Sequence, residues 1–356
     1  MDRIVRIVRR HRPRAPGRRG RFPSAGLCSA PSRPGPAGTR KRIDQLPRLT
    51  FRRIPPELPP GGRRRLLPAA GVPELSVPCG TTVAGEQGGN MHYVEHGSGT
   101  PVLAVHGWMP DHRLMTGCLE PVFARRPGFR RIYPDLPGMG ESPAGSARGS
   151  DDLVAGLADL VDDLIGDEPF LLVGESYGGY LARGLTRARP DQVAGLALVC
   201  PVSRPVPVLE RDVPEHEVLR ADPDLLASLD PAEAAEYGEM AVVQSEETLA
   251  RFRADVAPGL AAADRAALQR MLTGWKLSVD PESGPVYRKP SLIVCGRQDA
   301  STGFAELYGL LGHYPRASYA VLDRAGHNLQ FEQPVLFEAL MDEWLDRVEE
   351  GSGAVT

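Results

Sequence analysis

Residues 169–180 read PFLLVGESYGGY: an apolar run, a serine set between glycines, and the start of a segment that can be helical. No other stretch limits the possible folds so sharply. A short apolar run that ends in glycine reads as a strand buried on both faces. Gly174 and Gly178, two residues before and two after Ser176, satisfy the crowding of a sharp strand-to-helix turn, where larger side chains do not fit. Such a turn projects the serine out of the backbone, within reach of a base, and a base is what makes its weak hydroxyl nucleophilic. It also aims the backbone N–H of Tyr177 toward a developing oxyanion. A loop serine between flexible glycines is the plainer alternative, and the flanking strand and helix argue against it.

The chain from about residue 90 repeats this alternation. PVLAVHG (101–107), FRRIYPDLPG (129–138), QVAGLALVCP (192–201), SLIVCG (291–296) and ASYAVLD (317–323) read as strands. Between them, residues 150–167 carry Leu153, Val154, Leu157, Leu160, Val161 and Leu164 at helical spacing, with Ser150 as the expected N-cap. A helix is expected over 179–190, stopped by Pro190, and another over 334–348 with Pro334 at its start. Apolar strands separated by helices predict an α/β fold, a mostly parallel sheet wound on both faces, with its site beyond the carboxyl ends of the strands. About ninety residues between Cys200 and Ser291 break the pattern. They are helix-forming and punctuated by proline, and they predict a helical cap inserted over the strand ends. Tyr237, Met240, Phe252, Met271 and Trp275 of this segment could line a pocket, although each taken singly reads as core.

The base that serves Ser176 should lie near the C-terminal end, after the last strand. His327, in DRAGHN, is the histidine placed there, beside the turn formers Gly326 and Asn328. An acid should orient it from the end of an intervening strand, and GRQD supplies Asp299. The stretch CPVSRPV after the preceding strand has no carboxylate, and Asp323 is too close to His327 in sequence to bond it comfortably. The order Ser176, Asp299, His327 is the one this strand–turn–helix arrangement uses. A second oxyanion donor is expected from the loop after an early strand, where His106, Gly107 and Trp108 stand. The Trp108 amide takes that part and its indole lines the pocket, while His106 holds the loop. Asp111 and His112 read as exposed polar residues of the same loop.

Charge divides the chain. Residues 1–80 contain nineteen Lys and Arg against four Asp and Glu, a local charge of +15, and the remainder carries −18 of the chain's net −3. Residues 1–75, rich in Arg and Pro and without apolar periodicity, are expected to be a disordered extension. A nucleic-acid arm is disfavoured by few aromatics and scattered charge, a transit peptide by the lack of an amphipathic helix, and a secretory signal by the charges that break IVRIV. A dispensable extension from an upstream start codon fits best, with Met91 standing where orderly sequence begins. The expected divisions are therefore 1–75, a first core part 76–202, a cap 203–288 and a second core part 289–350.

The five cysteines are widely spaced, form no CxxC and make no zinc-ligand cluster with histidine, so no metal is expected and a reducing, cytoplasmic setting fits. No run approaches the ~20 apolar residues that cross a bilayer. The expected partner is a small-molecule substrate, with no nucleic acid and no membrane.

Together, the HGW loop, DLPGMGES (135–142), GESYGG, GRQD and AGHN resemble the α/β-hydrolase family over residues 90–348. The resemblance implies a cofactor-free serine hydrolase with a Ser176–His327–Asp299 triad and a cap domain. Members that open epoxides or displace halide use an aspartate nucleophile, and Ser176 counts against both. Relatives of this layout cleave carboxylic esters, which is the expected reaction here. Others cleave lactones, prolyl peptides or C–C bonds in diketones, act as perhydrolases, or keep the fold as ligand receptors.

Overall fold

The apolar runs form strands whose residues alternate between two buried faces. In the computed structural model, residues 81–83, 91–207 and 210–353 are described. The expected disordered extension, with Cys28 and Cys79, lies outside the described residues. The strands are β1 (Thr81–Val83), β2 (Met91–Gly97), β3 (Thr100–Val105), β4 (Phe129–Pro134), β5 (Phe170–Glu175), β6 (Val193–Val199), β7 (Ser291–Gly296) and β8 (Ala317–Leu322). They make one sheet in the order β1-β2-β4-β3-β5-β6-β7-β8. β2 runs against both of its neighbours, and the pairings from β4 through β8 are parallel.

Helices α1 (His112–Phe123), α2 (Ser150–Leu164), α3 (Ser176–Ala188) and α10 (Pro334–Gly353) cover the sheet. Leu103, Val105 and Leu172 point into one core with Leu153, Leu157, Leu181 and Leu185 of α2 and α3. Their strand neighbours Val102, Ala104, Leu171 and Val173 point the other way, against Met115 and Leu119 of α1 and Phe337, Met341 and Trp344 of α10. Successive strand side chains therefore feed opposite layers, which is why these strands are apolar throughout. The doubly wound class expected from the sequence is borne out.

Two local expectations are corrected. Ser150 does not cap α2: Gly149 occupies that position without a side-chain bond. Ser150 is instead buried, donating its hydroxyl to the Trp275 carbonyl at 2.5 Å and lying 2.7 Å from the Tyr177 hydroxyl. Asp111 and His112 are not exposed loop residues. Asp111 is the N-cap of α1, accepting from the Arg113 amide at 3.0 Å, and His112 is buried against Asp135 at 2.9 Å. Asp135 also accepts from His92 Nδ1 and from the amides of His112 and Glu141. Four donors saturate its two oxygens, and although burial works against them, His112, the nearby His106 and the Glu141 amide hold its carboxyl well below the usual range.

Between β6 and β7 lies the helix-forming segment: α4 (Pro223–Ser228), α5 (Pro231–Met240), α6 (Glu246–Arg251), a π turn over Phe252–Val256, α7 (Ala257–Ala262) and α8 (Arg265–Met271). Asp222, Asp230, Ser245 and Asp264 cap its helices through their side chains. A short helix α9 (Leu329–Glu332) precedes α10. Among the described residues no helix is long and apolar enough to cross a membrane.

Trp344 is fully buried beneath the sheet and donates its indole N–H to the Pro290 carbonyl at 3.2 Å. Trp344→Ala should cost about 3–5 kcal/mol of unfolding free energy, measured by urea denaturation.

Candidate active site

The site begins with crowding at the end of β5. A Cβ on Gly174 would sit 2.5 Å from the Gly178 carbonyl oxygen, and one on Gly178 would sit 2.3 Å from the Val105 oxygen. Only glycine fits at either position. Between them Ser176 takes φ +52°, a left-handed conformation that costs a non-glycine residue about 1–3 kcal/mol. The turn then enters α3 directly, and β5 is flanked by β3 and β6, so the surrounding sheet holds the strain.

Three segments distant in sequence meet at this turn. Ser176 Oγ lies 2.9 Å from His327 Nε2, and His327 Nδ1 lies 2.9 Å from Asp299 Oδ2. Asp299 is fully buried. Its Oδ1 accepts from the amides of Ser301 and Thr302 at 2.8 and 3.0 Å, and its Oδ2 accepts from the Thr302 hydroxyl at 2.7 Å. Asp323, the discounted rival, accepts instead from the Gln298 side chain. The loop carrying His327 is fixed from below by buried Glu332. One of its oxygens accepts from the Gly326 amide at 2.6 Å, and the other from the amides of Val242 and Val243 at 2.7 and 3.2 Å. A single carboxylate thus ties the inserted segment to the histidine loop.

His106 holds its loop as expected: Nδ1 bonds the Gly107 carbonyl at 2.7 Å and Nε2 accepts from the Leu136 amide at 2.9 Å. Trp108 and Tyr177 both face the cavity described below.

One residue of the site escaped sequence reasoning. Glu175 is buried, precedes Ser176, and places Oε1 3.4 Å from His327 Nε2. His327 therefore has a carboxylate on each side. Burial opposes an imidazolium there, but Asp299 and then Glu175 outweigh it and lift His327 to about 9. Burial, reinforced by Asp299, pushes Glu175 up to about 7 against the pull of His327. Burial would also raise Asp299, yet His327 and Thr302 hold it below the usual carboxylate range. The signal in the sequence was the acid inside GESYGG, which a pattern built on glycine and serine passes over.

The row opens on a cavity of about 760 Å³. Core and inserted segment share its walls. Trp275 of the inserted segment stacks on Tyr177 at 4.2 Å between ring centroids and 16° between planes, and Trp108 meets both edge-on at 5.0 Å. Met240 and Phe252 also line it, whereas Tyr237 and Met271 are buried in the core without lining it. Among the described residues two groups of side chains have ligating atoms close enough for a metal: His92, His112 and Asp135, and Cys200, Asp299 and His327. In both, the carboxylate is already bonded to the imidazoles, and burial pushes the Cys200 thiol up, away from the thiolate form that binds metal. Cys118, Cys200 and Cys295 are buried free thiols.

Residues 102–340 match the Alpha/beta hydrolase family. The chain belongs to that family. It is similar to lipase LipV of Mycobacterium tuberculosis, with 36% identity over 147 residues, 41% of this chain and 52% of the lipase. The match thus spans about half the length of that relative. It also resembles the 2-hydroxy-6-oxononadienedioate/2-hydroxy-6-oxononatrienedioate hydrolase of Burkholderia vietnamiensis, with 27% identity over 277 residues, 72% of this chain and 91% of that enzyme. Among solved structures, an alpha/beta superfamily hydrolase from Oenococcus oeni superposes with a TM-score of 0.69 at 27% identity, covering 76% of this chain and 99% of that one.

Replacing Glu175 by Gln removes one of the two charges that raise His327. In an NMR titration of the imidazole the midpoint should lie near 9 in the wild type and at lower pH in Glu175→Gln.

Proposed function

We propose that this chain is a serine hydrolase that transfers the acyl group of a small carboxylic ester to water. The observation that carries the reading is the hydrogen-bonded row from Ser176 through His327 to Asp299, opening on a cavity with mostly apolar walls. Ser176 Oγ attacks the carbonyl carbon while His327 Nε2 takes its proton. Asp299 holds the Nδ1–H and stabilises the imidazolium that results. The amides of Tyr177 and Trp108 hold the oxyanion, an interaction worth roughly 3 kcal/mol per donor. His327 then returns the proton to the leaving oxygen, giving an acyl-enzyme. Water, activated by the same imidazole, releases the acid. The residues themselves supply every proton transfer. The buried thiols are consistent with a reducing compartment, and we place the protein in the cytoplasm on that ground.

The length of the match to the oxononadienedioate hydrolase favours one second reading, hydrolysis of a C–C bond next to a carbonyl at the same serine. Turnover of aryl esters against turnover of a diketone separates the two.

Ser176→Ala should lower ester turnover by about 10⁴–10⁶-fold, and Asp299→Asn by about 10⁴-fold, since the three groups act as a unit. A mutant of Ser176 that kept a tenth of wild-type activity, or a folded wild type unlabelled by a fluorophosphonate, defeats the reading. The pH profile follows from the raised imidazole. The base works only when neutral, so kcat/KM should rise up to about pH 9 and fall about tenfold for each unit of pH below it.

A further inference from the structure

The cavity wall contains a guanidinium whose charge is unanswered. Arg211 lines the cavity and is only partly exposed. Its Nε donates to the Val206 carbonyl at 3.0 Å and its Nη1 to the Ser301 carbonyl at 2.9 Å. Those two bonds fix the planar group, and among the described residues Nη2 carries none. Nor does Arg211 have a carboxylate within ion-pair distance among them.

The two acids near enough to matter are both committed. Glu306 is taken by the Ser203 hydroxyl and by Arg204. Asp299 is taken by His327, by the hydroxyl and amide of Thr302 and by the Ser301 amide. The attachment to Ser301 is informative, because the same residue donates its amide to Asp299. Arg211 therefore sits one peptide unit from the acid that orients His327. Burial draws its proton affinity down, with Asp299 and Glu306 pulling the other way from a distance, and a guanidinium stays charged throughout.

A fixed cation in a partly dry wall is costly without an anion, and a rigid fork of N–H donors matches a carboxylate. Among the described residues of the lining, Lys276 is the other permanent cation and is exposed, and Glu175 is the one acid, already beside His327. The wall thus has a net attraction for anions next to the reacting serine. We propose that Arg211 binds a carboxylate of the substrate, so that the enzyme's preferred substrates are small esters that carry a free carboxylate. This rests on the serine hydrolase reading of the same site and narrows its substrate class.

Two measurements separate this proposal from that reading. The first needs no turnover. In Ser176→Ala protein, quenching of tryptophan fluorescence reports on Trp108 and Trp275 in the cavity wall. Glutarate should quench saturably and bind at least about tenfold more tightly than neutral glutaramide, the worth of one charge-assisted hydrogen bond. Adding Arg211→Met should remove that preference. The second compares kcat/KM for matched esters, mono(4-nitrophenyl) glutarate with 4-nitrophenyl butyrate, and 3-acetoxybenzoate with phenyl acetate. The wild type should favour the anion in at least one pair. Arg211→Met should shrink that ratio about tenfold to a hundredfold, mainly through KM, and Arg211→Lys should restore part of it. Glutarate binding that is absent, or equal with and without Arg211, overturns the proposal whatever the esters do. An equal fall in both members of each pair also overturns it, because Arg211 then serves only to hold Val206 and Ser301 in place. Loss of all ester turnover in the wild type, with glutarate binding intact, defeats the esterase reading and leaves the anion site standing.

Discussion

The architecture of the site depends on one steric fact: the end of β5 must bend into α3 without side chains at positions 174 and 178. The Gly178 backbone packs against the Val105 carbonyl, and Gly174 packs against Gly178 itself. A Cβ at position 174 would push α3 off the end of β5, and one at position 178 would push it off the end of β3. Ser176 bears the local cost by adopting a left-handed conformation. An isolated turn could not hold that conformation. Here it is over-determined by a central strand on one side and by a helix whose Leu181 and Leu185 are buried in the core on the other. The sheet is therefore the reason the serine hydroxyl stands where an imidazole can reach it.

Position alone does not set the chemistry, because His327 lies between two carboxylates. Asp299, with its full set of donors, stays ionised and holds Nδ1. Glu175 has fewer bonds and lies closer to Nε2, the nitrogen that faces Ser176. Its charge adds to that of Asp299, so the pair favours the imidazolium twice over. The same attraction that would stabilise a protonated histidine during acyl transfer also holds the proton on the resting enzyme near neutral pH. A stronger charged intermediate is thereby exchanged for a smaller fraction of free base.

Much of this was legible in the sequence wherever one physical rule dominated. β3, β5, β6 and β7 are buried on both faces and read as apolar runs. β2 did not, because MHYVEHG puts two histidines and a glutamate on a strand next to the sheet edge, buried over its first four residues and only partly covered at Glu95 and His96. α1 is not marked in the sequence for a related reason: it begins at the polar pair Asp111 and His112, which read as loop. His112 is buried because Asp135 supplies acceptors from 23 residues away, a partnership no local pattern contains, and the buried Asp111 carboxylate is satisfied by the amide and guanidinium of Arg113. Ser150 was assigned to the right place and the wrong partner. A serine before an apolar period predicts a cap, but Tyr177 and Trp275 offered its hydroxyl better bonds across the fold.

The inserted segment shows why a pocket is harder to read than a triad. A triad needs three residue types in three kinds of place, each marked by its own turn. A wall needs only apolar bulk, and the same bulk makes a core. Phe252 is buried against Tyr237 and also faces the cavity, and Trp275 both stacks on Tyr177 and receives the Ser150 hydroxyl on its carbonyl. Nothing in the spacing of such residues tells a wall from a core. Polar groups on the wall are the exception, since each must be satisfied or cost free energy. A cation held by two carbonyls beside acids that are already occupied is therefore the most informative residue of the segment after β6, although SRPV and LERD attract no attention as sequence.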